Sequence, residues 1–337
     1  MPLFSKDLGI DLGTVFTRIV VGNTVVLQEP TVVVIAVDEQ KIVAWGQEAH
    51  EMYGRVPESL EVTRPLQNGV IADYEITQKL LEYLIKKVSG PMRLFPPRVM
   101  VTIPFGITSV ESRAVHEASL QAGPRNAYLI HQPLAAALGI DLPIGTPTGN
   151  MILCLGGGTT QAAVLAMYGL VSAKTLRAGG MQLDEAIIAY IRKKYGMILG
   201  PSIAEQAKIK IGSAIPLEEE LYMEVQGQDQ VTGLPRPLTL TSDDITEAMR
   251  ESLHDIVETS RHVLEKTPPE LVSDIIDRGV ALCGGGAQLR GLDKLLTKEL
   301  GVPAYLVDNP LTCVAEGAAL ALDAGMYPKI KRNLPQI

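Results

Sequence analysis

A strand that runs directly into three glycines constrains the fold of this chain more than any other feature. Residues 152–155 read as a buried strand, residues 156–158 are all glycine, two threonines follow, and apolar residues resume at 162–165. This pattern predicts a hairpin with a glycine tip. Glycine at a tip permits a positive φ and lets backbone N–H groups converge on an anion without a side chain in the way. A phosphate would fit there.

The same layout occurs twice more, in residues 8–14 and in residues 281–287. A single glycine turn is weak evidence for a binding site, and three unrelated tight turns would also account for the pattern. Three spaced elements of one kind nevertheless predict two related domains that close on one nucleotide.

Length and composition agree with a two-lobed α/β protein. The chain has 337 residues, of which 46% are hydrophobic and only 4% aromatic, so an aliphatic core is expected. The net charge is −8 and no block of lysine or arginine occurs. A nucleic-acid partner is therefore not expected.

The cysteines and the apolar runs bear on location. Cys154, Cys283 and Cys313 are far apart in the sequence, in neither a disulfide framework nor a metal-binding spacing. No apolar run approaches the roughly 18 residues of a membrane span, and residues 1–6 lack a signal-peptide core. We expect a cytoplasmic protein.

Three places along the chain carry candidate site residues. Asp11 ends the first predicted strand, where a carboxylate could hold the waters of Mg²⁺ while Thr14 and nearby N–H groups face phosphate; a turn-forming Asp is the alternative. Gln132 lies at a predicted strand-to-helix corner, which points side chains into clefts. The third glycine loop, 284–286, precedes a predicted helix over 292–300 and could cradle a nucleoside or a phosphate.

Two further segments leave alternatives open. Glu205 and Lys208 share one face of a predicted helix over 202–211, so they could grip a ribose or pair with each other. Prolines bracket a loop that contains Met92, Leu94 and Phe95, which could dip into a membrane or tuck into the core. Other helices are predicted over 76–88, 108–123 and 242–266. Three more are predicted with one bound each: one begins at 134, one ends at about 195 and one begins at 315. Residues 53–77 are expected to be irregular.

Six segments carry a resemblance to a known family: 9–14, 64–74, 156–160, 232–235, 264–276 and 284–286. In them the chain resembles the actin, Hsp70 and sugar-kinase superfamily, and within it the bacterial actins of the MreB family, over essentially its whole length. The resemblance implies an α/β, actin-like fold of two RNase H-like lobes with a nucleotide cleft between them. Lobe I would comprise 1–142 and 315–337 with a small subdomain at about 32–66, and lobe II 143–314 with one at about 180–241.

The resemblance also implies a function. Proteins of this kind bind ATP and Mg²⁺, polymerise with themselves into paired filaments on the inner face of the cytoplasmic membrane, and work with wall-synthesis and membrane-anchored morphogenesis proteins, or with another MreB, to maintain rod shape. The implied ATP contacts are Gly13, Thr14, Gly156, Gly157, Gly158, Thr159, Glu205, Lys208, Gly284, Gly285 and Gly286. Asp11 would serve the metal, and the loop with Leu94 and Phe95 would insert into the membrane.

Five positions depart from the family pattern, and four of the departures remove a carboxylate. The positions are Phe16, Asn68, Gln132, Cys154 and Gln161, where the family usually has Asn, Asp, Glu, Asp and Glu. A thiol is a poor partner for Mg²⁺ or its waters. If the family Asp positions water and metal, Cys154 should slow hydrolysis by about 10²-fold.

Gln132 can orient water but cannot accept a proton at neutral pH, so alone it need not abolish turnover. We therefore expect an ATP-binding filament protein with weak hydrolysis. If Cys154 is only a small buried residue and Asp11 takes the metal role, an ordinary dynamic ATPase is expected instead. An Hsp70-like or sugar-kinase-like enzyme is a third hypothesis, but no substrate-binding domain or kinase Asp can be placed in the sequence.

Overall fold

A computed structural model describes residues 7–89 and 96–336 of the chain. Its strands are β1 (Leu8–Leu12), β2 (Phe16–Val21), β3 (Thr24–Pro30), β4 (Val33–Ala36), β5 (Lys41–Trp45), β6 (Leu60–Thr63), β7 (Leu66–Gln67), β8 (Val70–Ile71), β9 (Arg98–Ile103), β10 (Asn126–His131), β11 (Asn150–Leu155), β12 (Thr160–Ala166), β13 (Gly169–Leu176), β14 (Met197–Ile198), β15 (Tyr222–Asp229), β16 (Pro235–Thr241), β17 (Val280–Cys283) and β18 (Ala304–Leu306).

The helices follow the strands in the order expected of an α/β protein. They are α1 (Gly46–Glu51), α2 (Tyr74–Ser89), α3 (Ser109–Gln121), α4 (Gln132–Gly139), α5 (Gly180–Tyr195), α6 (Pro201–Ile211), α7 (Ser242–Glu265), α8 (Pro269–Arg278), α9 (Leu292–Leu300), α10 (Cys313–Leu320) and α11 (Tyr327–Ile330). Short 3₁₀ helices cover Gly285–Gln288 and Lys331–Asn333.

Two five-stranded sheets with the same strand order organise the molecule. One has the order β3-β2-β1-β9-β10 and the other β13-β12-β11-β17-β18. In each, the first three strands of the chain run antiparallel and the last two add in parallel. We call the part built on the first sheet lobe I and the part built on the second lobe II. The predicted hairpin at 152–165 is β11 with β12.

Helices α4 and α10 pack against each other between the two sheets. Close approach explains their small residues, because a Cβ on Gly317 would collide with the carbonyl oxygen of Ala135, and one on Gly139 with that of Cys313. Gly9 on β1 is likewise in contact with the backbone of α10 at Ala319. The close packing expected for the last small-residue helix is therefore present.

Each lobe also carries a small three-stranded sheet. The strands are β5, β4 and β6 in lobe I and β14, β15 and β16 in lobe II. These sheets lie inside the ranges predicted for the small subdomains, while the exact lobe boundaries stay predictions.

Sequence patterns missed several short elements. Residues 53–77, expected to be irregular, contain β6, β7 and β8, which are too short to show an alternating pattern. Helix α8 was also missed, although it opens with Pro269 in its first turn, where proline is well tolerated.

Of the helices in residues 7–89 and 96–336, none is long and apolar enough to cross a membrane. The predicted membrane-contacting residues Met92, Leu94 and Phe95 lie outside the described residues. Their role stays a prediction.

Candidate functional site

The turns after β1 and β11 face each other across the gap between the lobes. Gly157 approaches Val15 so closely that a Cβ would collide with the valine side chain, and a Cβ on Gly158 would lie 2.6 Å from Thr14 Oγ1. The backbone angles of Gly156, Gly157 and Gly158 all lie outside the left-handed region. The tip therefore does not use the positive φ that glycine permits, and close approach between the lobes is what requires glycine here.

Helix α5 binds the carbonyl groups of the second glycine loop, residues 156–158. The N–H groups of Gly180 and Met181 donate to the carbonyl oxygens of Gly156 and Gly157 at 3.0 and 2.9 Å. The N–H groups of Gly157 and Gly158 make no hydrogen bond to any residue in the described ranges. Backbone donors at a loop of this kind are suited to an anion.

The third glycine loop lies against the second. Gly284 has a φ of +89°, and a Cβ there would collide with the carbonyl oxygen of Leu155 at the end of β11. Gly285 is exposed and starts the 3₁₀ helix that leads to α9. The structure thus brings the second and third glycine loops together within lobe II, at the ends of the neighbouring strands β11 and β17.

Asp11 is a buried carboxylate at the centre of this region, 7% exposed. Its Oδ1 accepts hydrogen bonds from Thr102 Oγ1 at 2.9 Å and from Gln132 Nε2 at 3.4 Å. Arg18 Nη1 lies 3.9 Å from Oδ2. Burial raises the pKa of Asp11, and the charge of Arg18 and the two hydrogen bonds oppose that rise.

Gln132 begins α4 and makes a second contact through its carbonyl oxygen. Gln161 Nε2 donates to Gln132 Oε1, and the Phe105 N–H donates to Gln161 Oε1 at 2.9 Å. Sequence reasoning noted Gln161 only as a departure from the family pattern. Its contact with Gln132 joins β12 of lobe II to lobe I, which no local sequence pattern could indicate.

Cys154 is buried in the core and points toward another thiol. Cys283 Sγ donates to Cys154 Sγ at 3.2 Å, and the two residues are register partners on the parallel strands β11 and β17. The hydrogen bond with Cys154 raises the pKa of Cys283, burial adds to the rise, and Cys313 lowers it. The three cysteines, far apart in the sequence, lie close together.

No group of three His, Cys, Asp or Glu side chains in the part of the chain that the structure describes is arranged to hold a metal ion by itself. A Mg²⁺ ion commonly takes one or two carboxylates plus substrate phosphates and water. The single carboxylate of Asp11 beside the phosphate loops fits that donor set.

The pairing predicted between Glu205 and Lys208 on α6 was wrong. Lys208 Nζ lies 2.8 Å from Asp184 Oδ1 and donates to the Gly180 carbonyl oxygen at 2.8 Å. Burial raises the pKa of Asp184 to about 6, against the opposing effect of Lys208. The packing of α5 on α6 brings Asp184 to Lys208. Sequence spacing within α6 could not indicate this pair, because Asp184 lies on another helix.

Arg64 holds the turn after β1. Its Nη1 lies 3.4 Å from each of the carbonyl oxygens of Thr14, Val15 and Thr31. Burial lowers the pKa of Arg64, and the charge of Glu205 partly offsets this effect.

Comparison with known proteins gives consistent results. The family model described as MreB/Mbl protein matches residues 5–329. The chain is 46% identical to the cell shape-determining protein MreB of Escherichia coli K12 over 327 residues, which is 95% of this chain and 94% of that protein. It is 44% identical to the cell shape-determining protein Mbl of Bacillus cereus, over 95% and 97% of the two chains.

Solved structures agree. MreB5 of Spiroplasma citri bound to ADP superposes with a TM-score of 0.91 at 30% identity, over 98% of this chain and 99% of that one. A second structure of MreB5 holds AMPPNP. The MamK double helical filament gives a TM-score of 0.80 at 22% identity, over 94% and 98% of the two chains. The predicted actin-like fold is confirmed.

Proposed function

We propose that this chain, which belongs to the MreB/Mbl protein family, is a cell shape-determining filament protein that binds ATP between its lobes and hydrolyses it slowly. One observation carries the nucleotide site: two glycine loops from different lobes meet beside a buried carboxylate, and the N–H groups of Gly157 and Gly158 have no partner in the described residues. The two MreB5 structures, bound to ADP and to AMPPNP, support it.

Phosphate would be bound mainly by backbone. The loop of Gly13 and Thr14 and the loop from Gly156 to Thr159 supply N–H groups and hydroxyls at the ends of β1 and β11. The segment from Gly284 to Gly286, with Glu205 and Lys208, would hold the adenosine. The placement of the third glycine loop against Leu155 supports this assignment.

Asp11 would hold Mg²⁺ through its carboxylate. The ion would supply neutralisation of phosphate charge when bound. The chain contributes the orientation of Asp11, since Thr102 and Gln132 both donate to Oδ1 and leave Oδ2 without a hydrogen-bond donor at normal distance in the described residues.

Slow hydrolysis is expected from two neutral side chains, Gln132 in contact with Asp11 and Cys154 at the matching place near the end of β11. Cys154 contacts Cys283 and brings no charge or strong acceptor to the cleft. Gln132 cannot take a proton from water at neutral pH, and its carbonyl oxygen already accepts from Gln161. A fully active, dynamic MreB ATPase is the second candidate, and it is favoured if Asp11 alone suffices.

Filament formation is proposed from the family and from the surface. The double helical filament of MamK, a protein with the same fold, supports self-association. The tip between β15 and β16 exposes 92% of Val231 and 65% of Leu234, which suits a contact with another subunit. Attachment to the inner face of the cytoplasmic membrane, wall-synthesis partners and copolymerisation with another MreB belong to the same proposal.

The proposal is tested by titrating the protein with a fluorescent ATP analogue and Mg²⁺, followed by light scattering and by pelleting with anionic lipid vesicles. We expect micromolar or tighter nucleotide binding, polymers, and vesicle-dependent pelleting. Absence of nucleotide binding, or of polymer at every protein concentration, would count against the proposal.

A further inference from the structure

Gln161 is a buried amide whose two ends are both engaged by the opposite lobe. It lies on β12 of lobe II and is only 1% exposed. Its Oε1 accepts from the Phe105 N–H at 2.9 Å, and its Nε2 donates to Gln132 Oε1. Phe105 and Gln132 both belong to lobe I. A buried amide with both ends paired is strongly oriented, because each lost bond would leave a polar group unsatisfied.

The direction of this chain of hydrogen bonds is fixed by its ends. At one end, the Phe105 N–H can only donate, so Gln161 must present its carbonyl oxygen there. At the other end, the carboxylate of Asp11 accepts from Gln132 Nε2. Every amide between them is therefore turned the same way, from Phe105 through Gln161 and Gln132 to Asp11.

This direction has a consequence for Gln132. A glutamine that orients an attacking water must offer its carbonyl oxygen to a proton of that water. Here Gln161 occupies one of the two acceptor positions of that oxygen and so fixes its direction toward β12, while the Gln132 amide nitrogen is turned to Asp11. We infer that Gln161 is a positioning residue that holds Gln132 in an orientation unfit to align water, and so restrains ATP hydrolysis independently of Cys154. The inference rests on the proposed ATPase function.

The substitution Gln161→Glu tests the inference because protonation decides whether the new side chain can donate. When ionised, the new carboxylate can only accept, so it no longer donates to the Gln132 carbonyl oxygen and favours the Gln132 amide nitrogen in its place, which frees that oxygen. When protonated, the new carboxyl group can accept from Phe105 and donate to Gln132, as the natural amide does. Since burial raises the pKa of a carboxyl group above its ordinary value of about 4.3, the change should fall in a measurable pH range.

The experiment measures single-turnover phosphate release from Mg-ATP between pH 5 and pH 8. At high pH we expect Gln161→Glu to release phosphate about ten times faster than the natural protein, which is the effect of one ordinary hydrogen bond. This ratio should fall toward one as the pH falls through the pKa of the new carboxyl group. The gain should vanish when Gln132→Met is added.

A matched control is Gln182→Glu. Gln182 also joins two parts of the molecule, donating to Asn68 Oδ1 at 3.3 Å, and it makes no contact with Gln132. We expect no such acid-sensitive gain from it. If Gln161→Glu does not fold, Gln161→Met removes the donor with little change of volume, and its gain should be independent of pH yet still require Gln132.

Parallel ATP titrations separate the proposed function from the positioning role of Gln161. If the natural chain binds no ATP, the proposed function fails and the inference fails with it. If ATP binds and the ratio stays at one for both Gln161 variants, or persists without Gln132, only the positioning role is overturned.

Discussion

Asp11 and Cys154 occupy equivalent places in the two lobes. Each lies one residue before the end of the first strand of its sheet, directly ahead of a glycine turn. Asp11 is surrounded by groups that favour a negative charge, namely Arg18, Thr102 and Gln132. Cys154 is instead in contact with the thiol of Cys283 and has the neutral Gln161 as its neighbour across β12.

One architecture can therefore keep its phosphate-binding loops while losing a charge. Glycine is required in both turns for steric reasons: a Cβ on Gly157 would collide with Val15 of the other lobe, and one on Gly13 with the carbonyl oxygen of Phe16 in its own turn. The side chains of Asp11 and Cys154 are not subject to this steric requirement, because their proposed role is in hydrolysis. The proposed function therefore assigns binding to the loops and hydrolysis to the side chains that precede them.

Asp11→Asn removes the carboxylate charge near the end of β1, so that neither lobe has a charged side chain at the position that Asp11 and Cys154 occupy. The metal would lose the carboxylate proposed to hold it, and we expect the Mg²⁺-dependent part of ATP affinity to fall by about 10²-fold, in keeping with the several kcal/mol that a bound metal supplies. ATP titrations in Mg²⁺ and in EDTA measure it. An undiminished Mg²⁺ effect would show that Asp11 is not the metal ligand.

Gly157→Ala tests the steric requirement common to both lobes. Its new methyl group would collide with Val15, and overpacking of this kind costs roughly 1–3 kcal/mol of unfolding free energy. Urea unfolding of the nucleotide-free protein measures the cost. Val15→Ala in the same chain removes the Cγ2 atom that lies 2.1 Å from the new methyl group but leaves the Cβ at 2.8 Å, so it should restore part of the loss.

Gly200→Ala is the matched control for that substitution. Nothing lies within 4 Å of a Cβ at Gly200, and its φ is −73°. We expect little loss of stability there. Equal losses at both positions would contradict the claim that the lobes are in contact through Gly157.

Asp184→Asn should give the smallest effect and concerns lobe II alone. The pKa of Asp184 is raised to about 6 in the folded protein, from an ordinary value of 3.8, so its protonated form favours the folded state. The stability it contributes is fully present below about pH 4 and is lost as the pH rises through about 6. Thermal unfolding from about pH 4 to 7 should show a decline that is shallower in Asp184→Asn, and parallel profiles would refute the assignment.

Much of the fold could be predicted because its signals are local. The helix predicted over 108–123 is α3, and Thr108 caps it, with Thr108 Oγ1 accepting from the Glu111 N–H at 3.2 Å. Helix α9 has the predicted bounds, and the glycine hairpin is where the apolar pattern placed it. Capping, periodicity and turn residues act within a few positions, so sequence alone reports them.

The parts of the site that could not be predicted depend on how distant segments meet. Cys154 and Cys283 are 129 residues apart and become neighbours only when β17 joins β11. Lys208 pairs with Asp184 on another helix and not with Glu205 on its own. Gln161 reaches Phe105 only because the lobes close on each other. The family resemblance predicted where the glycine loops lie in the sequence. It could not predict the contacts of the residues that depart from the family pattern, such as Cys154 and Gln161.

The main proposal is that this chain binds ATP but hydrolyses it slowly because Cys154 stands where a carboxylate would act. Single-turnover phosphate release from Mg-ATP should be compared in the natural protein, Cys154→Asp and, as a control for loss of the thiol, Cys154→Ala, with ATP binding measured in parallel. We predict that all three bind ATP, that the natural protein and Cys154→Ala release little phosphate, and that Cys154→Asp is faster by about 10²-fold. A natural protein that already hydrolyses ATP as fast as Cys154→Asp would contradict the proposal.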